Sequence, residues 1–381
     1  MKHPWSPQHF AAGARAANRP QAVIDAAAAA AIKIKDRDSD LPVILTLGHL
    51  SHLAGVPHAK TLALATRRTD SPAYRVFQLK KRPFGRASGR AFRTICVPEP
   101  DLMRLQRWIN QNILATRRAA PHPASFAYYA DRGVLAAAAR HAACTWLVKL
   151  DVQDFFDSIN ERRVYKVFRN FGYGALLSFQ LARLCTHVLP YQQGRSDGDY
   201  SLTDYLRGEG RLPQGAPTSP ALANLAVRTL DIRLTHLANL TGWTYTRYAD
   251  DLAFSLKRKA TRKEARALVA KIKSELRADG LKANAAKTVI APPGARRLVL
   301  GLQVDGPSPR LSRDFKTNLD THLRALTSPH IGVERHRAAR KFASTIGMRR
   351  HIAGLVAYAH YVEPAYAQRC YGLFNEVAWP E

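Results

Sequence analysis

Two neighbouring carboxylates, Asp250 and Asp251, stand between runs that alternate polar or small residues with apolar or aromatic ones, Thr244–Tyr248 and Leu252–Leu256. Period-two patterning on both sides predicts a β-hairpin with the acidic pair at its tip. Taken alone, an Asp-Asp pair in a hairpin is an ordinary solvated turn. A second acidic strand end, far upstream, changes that. Trp146–Val152 is a short apolar run of strand composition, and Asp151 lies near its end. A carboxylate at the end of a buried strand is costly to hold unless something positive pairs with it. Three carboxylates converging from two adjacent strands make a hard oxygen cluster suited to Mg²⁺, an ion that also takes phosphate oxygens as ligands. Two such ions can clamp the attacking and leaving oxygens of an in-line phosphoryl transfer.

The flanking sequence supplies elements to position these groups. In Arg211–Leu225 the pair Gln214-Gly215 is followed by Pro217, by Ser219-Pro220 and by an Ala/Leu run, so a tight turn leads into a helix. Tyr74–Lys80 alternates as a strand, a basic Gly-containing turn covers Lys81–Arg90, and Ala91–Val97 reads as a second strand. Such a basic hairpin suits phosphates, Lys as a point charge and Arg as a planar fork, although a merely solvated hairpin has the same pattern. Pro98–Leu114 is an amphipathic helix with Leu102, Leu105, Trp108 and Ile109 on one face. Helices are also expected over Pro20–Lys35, from Leu47 to near Gly55, over Glu161–Phe171 and over Glu264–Ala278, with a Gly/Asp-rich loop at Tyr191–Gly210. From Leu311 onward the pattern is helical, basic in Arg310–Lys316 and Arg335–Arg350 and aromatic at Tyr358, Tyr361, Tyr366 and Tyr371. Basic residues interleaved with aromatics suit a nucleic-acid backbone, and a bundle with aromatic core positions accounts for them equally well.

The chain of 381 residues is long enough for one large domain or two to three subdomains, and its 46% hydrophobic content is sufficient for a proper core. Lys and Arg number 58 against 29 acidic residues, a net charge of +29 that implies a polyanionic partner. Nucleic acid is the first candidate and an anionic membrane surface the second. No stretch approaches transmembrane length; the Ala-rich Val23–Ile34 contains Asp25 and Lys33. Cys96, Cys144, Cys185 and Cys370 are scattered without metal spacing, which predicts reduced thiols and a cytoplasmic protein, and the N-terminus lacks the layout of a signal peptide.

In this order and spacing, D-x-x-x-F-F from Asp151, P-Q-G-x-P-x-S-P from Pro213 and Y-A-D-D from Tyr248 resemble the motifs of reverse transcriptases. R-x-I-x-x-P from Arg93 and L-x-x-L-Q-x-W-I from Leu102 resemble the fingers of bacterial retron-type and group II intron-type enzymes. Ser125-Phe126-Ala127, the segment L-x-x-N-x-x-K-T from Leu281, the hairpin Arg297–Gly306 and the C-terminal Ile352–Arg369 are similar to further parts of that family. The resemblance implies an α+β right-hand polymerase: an N-terminal helical extension over 1–41, fingers over 42–145, a ferredoxin-like palm over 146–310 with a fingers-like insertion at 165–210, and a helical thumb over 311–381.

It further implies RNA-directed DNA synthesis from deoxynucleoside triphosphates with two Mg²⁺ ions held by Asp151, Asp250 and Asp251, helped by the backbone carbonyl of Val152. Lys81 and Arg93 would contact the triphosphate, with Lys80 and Arg82 as alternatives to Lys81. Phe156 would exclude a 2′-hydroxyl, Gln214 and Gly215 would line the nascent pair, and Lys287 would protonate the pyrophosphate. The implied partners are a structured non-coding RNA and an RNA/DNA hybrid, with an effector protein or a second copy of the chain as further partners and antiphage defence as the setting. Retron enzymes carry an N-A-x-x-H box and a V-T-G triplet that help to recognise their RNA. Here Ala137 replaces the Asn while His141 is kept, and Leu300 replaces the Thr between Val299 and Gly301. The altered boxes predict a changed RNA partner. Competing accounts are an RNA-copying RNA polymerase, template-independent or protein-templated DNA synthesis, and an idle RNA-binding scaffold; the bulky Phe156 speaks against the first and the retained carboxylates against the last.

Overall fold

The computed structural model describes residues 6–69, 71–80, 92–188 and 208–380. In chain order, α1 (Pro7–Ala16) and α2 (Gln21–Arg37) precede α3 (Leu47–Ala54) and α4 (His58–Thr66). Thr46 caps α3 by accepting from the His49 N–H at 3.1 Å, and Gly55 ends it in the left-handed region at φ +65°. A ribbon of β1 (Tyr74–Lys80) and β2 (Phe92–Pro98) leads to α5 (Pro100–Asn112), which opens with Pro100 and is capped by the Glu99 carboxylate. Then come α6 (Val134–Ala139), β3 (Trp146–Asp151), α7 (Glu161–Asn170), α8 (Ala175–Cys185), α9 (Ser219–Ala226) and α10 (Arg228–Thr241). The hairpin β4 (Thr244–Tyr248) and β5 (Asp251–Leu256) is followed by α11 (Arg262–Ala278) and β6 (Val289–Ala291). Three two-residue strands, β7 (Leu298–Val299), β8 (Leu302–Gln303) and β9 (Arg310–Leu311), precede α12 (Arg313–Thr327), α13 (Gly332–Ala339), α14 (Thr345–Val362) and α15 (Pro364–Asn375).

The central sheet has the order β4-β5-β3-β6, with β4–β5 and β3–β6 antiparallel. Numbered along the chain, that order is 2-3-1-4, with helices crossing from the first strand to the second and from the third to the fourth. This is the split β-α-β arrangement expected for the palm. The Thr145 N–H donates to the Leu256 carbonyl at 2.8 Å, so the start of β3 lies beside the end of β5 and the two neighbours run antiparallel.

The chain divides into two compact units. The first comprises Met1–Ala130, Asp151–His236 and Ile272–Asn284. Its core is helical, with Leu50, Leu105, Ile109, Phe168, Leu181 and Leu222 all excluded from solvent. Trp108 departs from the expected face of α5: it is half-buried beside Arg107 and Met103, while Leu102, Leu105 and Ile109 point inward. The second unit comprises Asp131–Leu150, Leu237–Lys271 and Ala285–Glu381. There one hydrophobic cluster joins the sheet (Leu147, Ala253, Ala291), the β7–β9 ribbon (Val299, Leu302) and the C-terminal helices. Of the four C-terminal tyrosines, Tyr358 and Tyr366 pack against this cluster, as core positions of a bundle, while Tyr361 and Tyr371 are exposed.

Candidate active site

In the second unit, Tyr248 pairs with Asp251 and the hairpin turns through Ala249 and Asp250. Asp250 alone therefore occupies the tip with Ala249, and Asp251 is the first residue of β5. Ala249 is buried and left-handed at φ +55°, a conformation that disfavours L-residues. Arg247, 1% exposed, donates from Nη1 to the Ala249 carbonyl at 3.1 Å and supports the turn from inside. Tyr245 and Phe254 stack across the two strands at 4.7 Å. Both carboxylates are half-buried.

Behind the hairpin lies a contact that patterning alone does not reveal. His141 is fully buried, with Nδ1 2.7 Å from Ser255 Oγ on β5 and Nε2 2.7 Å from Thr246 Oγ1 on β4. Burial, reinforced by Arg140, pushes its pKa down to about 3, so the ring is neutral at ordinary pH. Lys287 is exposed on a 3-10 turn, Ala285–Lys287, just before β6.

β3 closes with Asp151, 6% exposed, where the chain passes into the first unit. There the Asp151 carbonyl accepts from the Asn284 N–H at 2.7 Å and the Gln153 N–H donates to the Lys282 carbonyl at 2.8 Å, with Val152 bridging Ala283. The D-x-x-x-F-F and L-x-x-N-x-x-K-T segments are thus zipped together. Phe155 is buried, whereas Phe156 is half-buried with its ring 5.7 Å from Phe155 and 6.3 Å from Tyr128.

The Gln214-Gly215 turn docks on β2: the Gln214 carbonyl accepts from the Cys96 N–H at 2.7 Å. Gly215 has φ +108°, and a Cβ there would lie 2.9 Å from Ile95 Cγ2, so only glycine fits. Arg93 is exposed two residues before Ile95, hence on the same face of the ribbon. Lys81, Arg82 and the rest of the basic turn to Arg90 lie outside the described residues, as do residues 189–207. The approach to the turn is held by a half-buried ion pair that the sequence did not announce. Arg67 Nη2 contacts Glu161 Oε2 at 2.5 Å, and Glu161 also accepts from Thr186 Oγ1 and the Gly210 N–H, each at 3.2 Å. Arg211 then pairs with both Asn160 and His187 before the chain reaches Gln214. His187 approaches the Cys96 thiol at 3.5 Å; burial drives the imidazole down to about 4 and the thiol up to about 11.

The carboxylate set is of hard oxygen donors, the chemistry that divalent cations such as Mg²⁺ prefer. Among the described residues no three His, Cys, Asp or Glu side chains are gathered at metal-holding distance.

A family model for reverse transcriptase (RNA-dependent DNA polymerase) matches residues 79–304, which contain every segment just described except Arg67. The chain belongs to the reverse transcriptase family. Domains of this family use divalent metal ions, and the right-hand polymerase fold follows from the membership. The chain is similar to the retron Mx162 reverse transcriptase of Myxococcus xanthus, 33% identical over 72% of this chain and 56% of the relative. It is also similar to the retron Ec86 reverse transcriptase of Escherichia coli, 30% identical over 73% of this chain and 77% of the relative. The retron Mx65 reverse transcriptase of Myxococcus xanthus is 32% identical over 78% of this chain and 63% of the relative. The chain thus spans little more than half of the Mx162 enzyme. No helix among the described residues is long and apolar enough to cross a membrane.

At the two retron boxes, Ala137 and His141 are both 0% exposed and Leu300 is half-buried against the second unit's core, whereas Ala139 and Arg140 are exposed. In sequence they are an Ala-rich stretch and a hydrophobic triplet, and nothing there distinguishes inward from outward.

Proposed function

We propose that the chain is an RNA-directed DNA polymerase extending a primer 3′-hydroxyl with deoxynucleoside triphosphates, copying a structured non-coding RNA. The observation that carries this reading is the strand order: β5, which opens with Asp251, is the direct neighbour of β3, which closes with Asp151. Asp151, Asp250 and Asp251, with the Val152 carbonyl, would hold two Mg²⁺ ions. When bound, these ions stabilise charge on the attacking and leaving oxygens of an in-line transfer.

The remaining residues bind and orient. Gln214 Oε1 is buried without a hydrogen-bond partner among the described residues, which supports it as an acceptor for a donor on the nascent pair. Gly215 keeps the turn low against the ribbon. Arg93 and Lys81 provide guanidinium and ammonium donors for the triphosphate. The Phe156 ring, held against Phe155 and Tyr128, is suited to pressing on C2′ and excluding a ribose hydroxyl. Lys287 would deliver a proton to the departing pyrophosphate.

We assign fingers to 42–145 and 165–210, palm to 146–310 and thumb to 311–381, with 1–41 as an extension. Exposed Arg335, Arg340, Lys341, Arg349 and Arg350, with Tyr361 and Tyr371, support backbone tracking by the C-terminal helices, and the net charge of +29 suits RNA and an RNA/DNA hybrid. Four buried free thiols agree with a cytoplasmic location. We further propose antiphage defence as the setting, with an effector protein or a second copy as partner.

The test is to sequence nucleic acid copurifying with the protein before and after deoxynucleotides are added. New DNA complementary to a bound RNA is expected; no DNA from any bound or supplied RNA would sink the reading. In competition assays Phe156→Val should raise ribonucleotide use relative to deoxynucleotide use. An unchanged sugar ratio would make Phe156 a packing residue.

A further inference from the structure

We propose that His141 is a positioning residue for the hairpin bearing Asp250 and Asp251, and that Ala137–His141 and Val299–Gly301 form one internal brace for that hairpin. This deepens the polymerase assignment and rests on it only in naming the two carboxylates catalytic.

Three observations lead to it. First, neither ring nitrogen of His141 is available to a ligand. Each sits 2.7 Å from a hydroxyl, and those hydroxyls belong to Thr246 and Ser255, both 3% exposed. In a neutral imidazole one nitrogen donates and the other accepts, so one hydroxyl receives the ring proton and the other donates its own. Both bonds are satisfied inside the protein.

Second, the tie falls where the hairpin needs it. Thr246 is opposite Ala253 and Ser255 is opposite Thr244, so His141 spans a diagonal on one face and binds both strands at once. A two-residue hairpin favours Asn-Gly or a similar pair, whereas this one turns through Ala249 at φ +55° and Asp250. Strands joined by so poor a turn can shear, and any shear moves the carboxylates. A histidine bonded to both strands resists it.

Third, the tie is anchored from behind. Ala138, on the helix that delivers His141, belongs to the same hydrophobic cluster as Ala253 of β5, Val299 of the second box, Leu302 of β8, and Met348 of α14. Leu300 packs against that cluster. Ala137, next to Ala138, is fully buried as well, so the Asn-to-Ala and Thr-to-Leu differences from the retron boxes fall at buried or half-buried positions, and RNA choice is left to exposed side chains.

The experiment compares wild type with His141→Ala, His141→Gln, Thr246→Val and Ser255→Ala. It reads kcat at saturating substrates, Kd for the protein's own RNA, melting temperature and amide exchange at Tyr248–Leu252. His141→Ala should lower kcat by roughly 10- to 100-fold, the scale on which a displacement of about 1 Å acts. RNA Kd should stay unchanged and exchange at the hairpin should quicken. His141→Gln should recover part of the loss, and His141→Ala added to the two hydroxyl variants should cost little more. Weaker RNA binding with normal kcat would overturn the proposal in favour of RNA reading. A lower melting temperature with unchanged kcat and hairpin exchange would overturn it in favour of packing alone. Should His141→Ala fail to fold, the two hydroxyl variants decide by the same readouts. Wild-type protein without polymerase activity, combined with faster hairpin exchange in the variant, would sink the polymerase assignment while supporting the brace.

Discussion

Two tight hairpins of the second unit turn through awkward residues and are held in opposite ways. Between β4 and β5 the tip is Ala249–Asp250, with Ala249 at φ +55°; between β7 and β8 it is Leu300–Gly301, with Leu300 at φ +50° and Gly301 at +85°. An L-residue in the left-handed region costs roughly 1–2 kcal/mol, so each tip needs compensation. The acidic tip receives it from directed polar bonds: Arg247 to the Ala249 carbonyl, and His141 across the strands. The other uses a glycine at its second position and the packing of Leu300 on apolar neighbours. Apolar burial is non-directional, whereas hydrogen bonds fix orientation as well as position. Polar bracing is found where carboxylates must be aimed, and apolar burial where only closure is needed.

Substitutions at the two tips should separate in that order. Asp250→Asn should abolish nucleotide incorporation, costing at least about 3 kcal/mol of transition-state stabilisation by analogy with lost electrostatic donors, while RNA binding persists. Near-normal incorporation by the purified variant would remove any catalytic distinction between the tips. Arg247→Met leaves the Ala249 carbonyl without its donor and should cost about 1–3 kcal/mol in urea unfolding, with a lower kcat. An unchanged midpoint would show that the acidic tip needs no polar support.

Acid should remove the folding stability that a neutral His141 contributes. The pKa of His141 is lowered to about 3 from an ordinary 6.5, so its contribution is complete above pH 6.5 and is lost as pH falls from there toward 3. In that window the unfolded chain takes up the proton that the folded site refuses, at up to about 1.4 kcal/mol per pH unit. His141→Gln should show a shallower acid limb in melting temperature; identical limbs would contradict a neutral buried tie. Leu300→Asn should do least. Asn accepts the left-handed region but gives up part of the burial, so stability should move by no more than about 1 kcal/mol and polymerisation should fall far less than in His141→Ala. A large loss of activity would make the two tips functionally alike.

Local elements were legible because their signals are local. The alternation of Tyr74–Lys80 marks β1 to the residue, the hairpin Thr244–Leu256 is displaced only in placing Asp251 on its strand, and Gly55 ends α3 as its type requires. α1 went unread because none of its residues is buried, which leaves no periodicity to see. Trp108 was assigned inward from a helical face whose edge falls between it and Ile109. The braces were invisible for a different reason. His141 meets partners more than 100 residues away, and Arg67 meets Glu161 across 94. Arg67 is an unremarked polar residue until the chain closes on it, and the box that marks His141 says nothing of its partners. Of the site itself, residue types and order could be read from the motifs, whereas the supports behind them could not.

The chain has four cysteines, all free and all buried. Burial raises the thiols of Cys96 and Cys185 to about 11 and about 12, leaving little thiolate at neutral pH. A thiol-reactive dye or spin label should therefore pass over the folded protein. One cysteine introduced at Tyr361, which is 52% exposed, and another at Leu240, 71% exposed, would be the two reactive positions. The native sequence is in effect a ready-made background for measuring distances within the protein before and after RNA is added, without first replacing a single native sulfur.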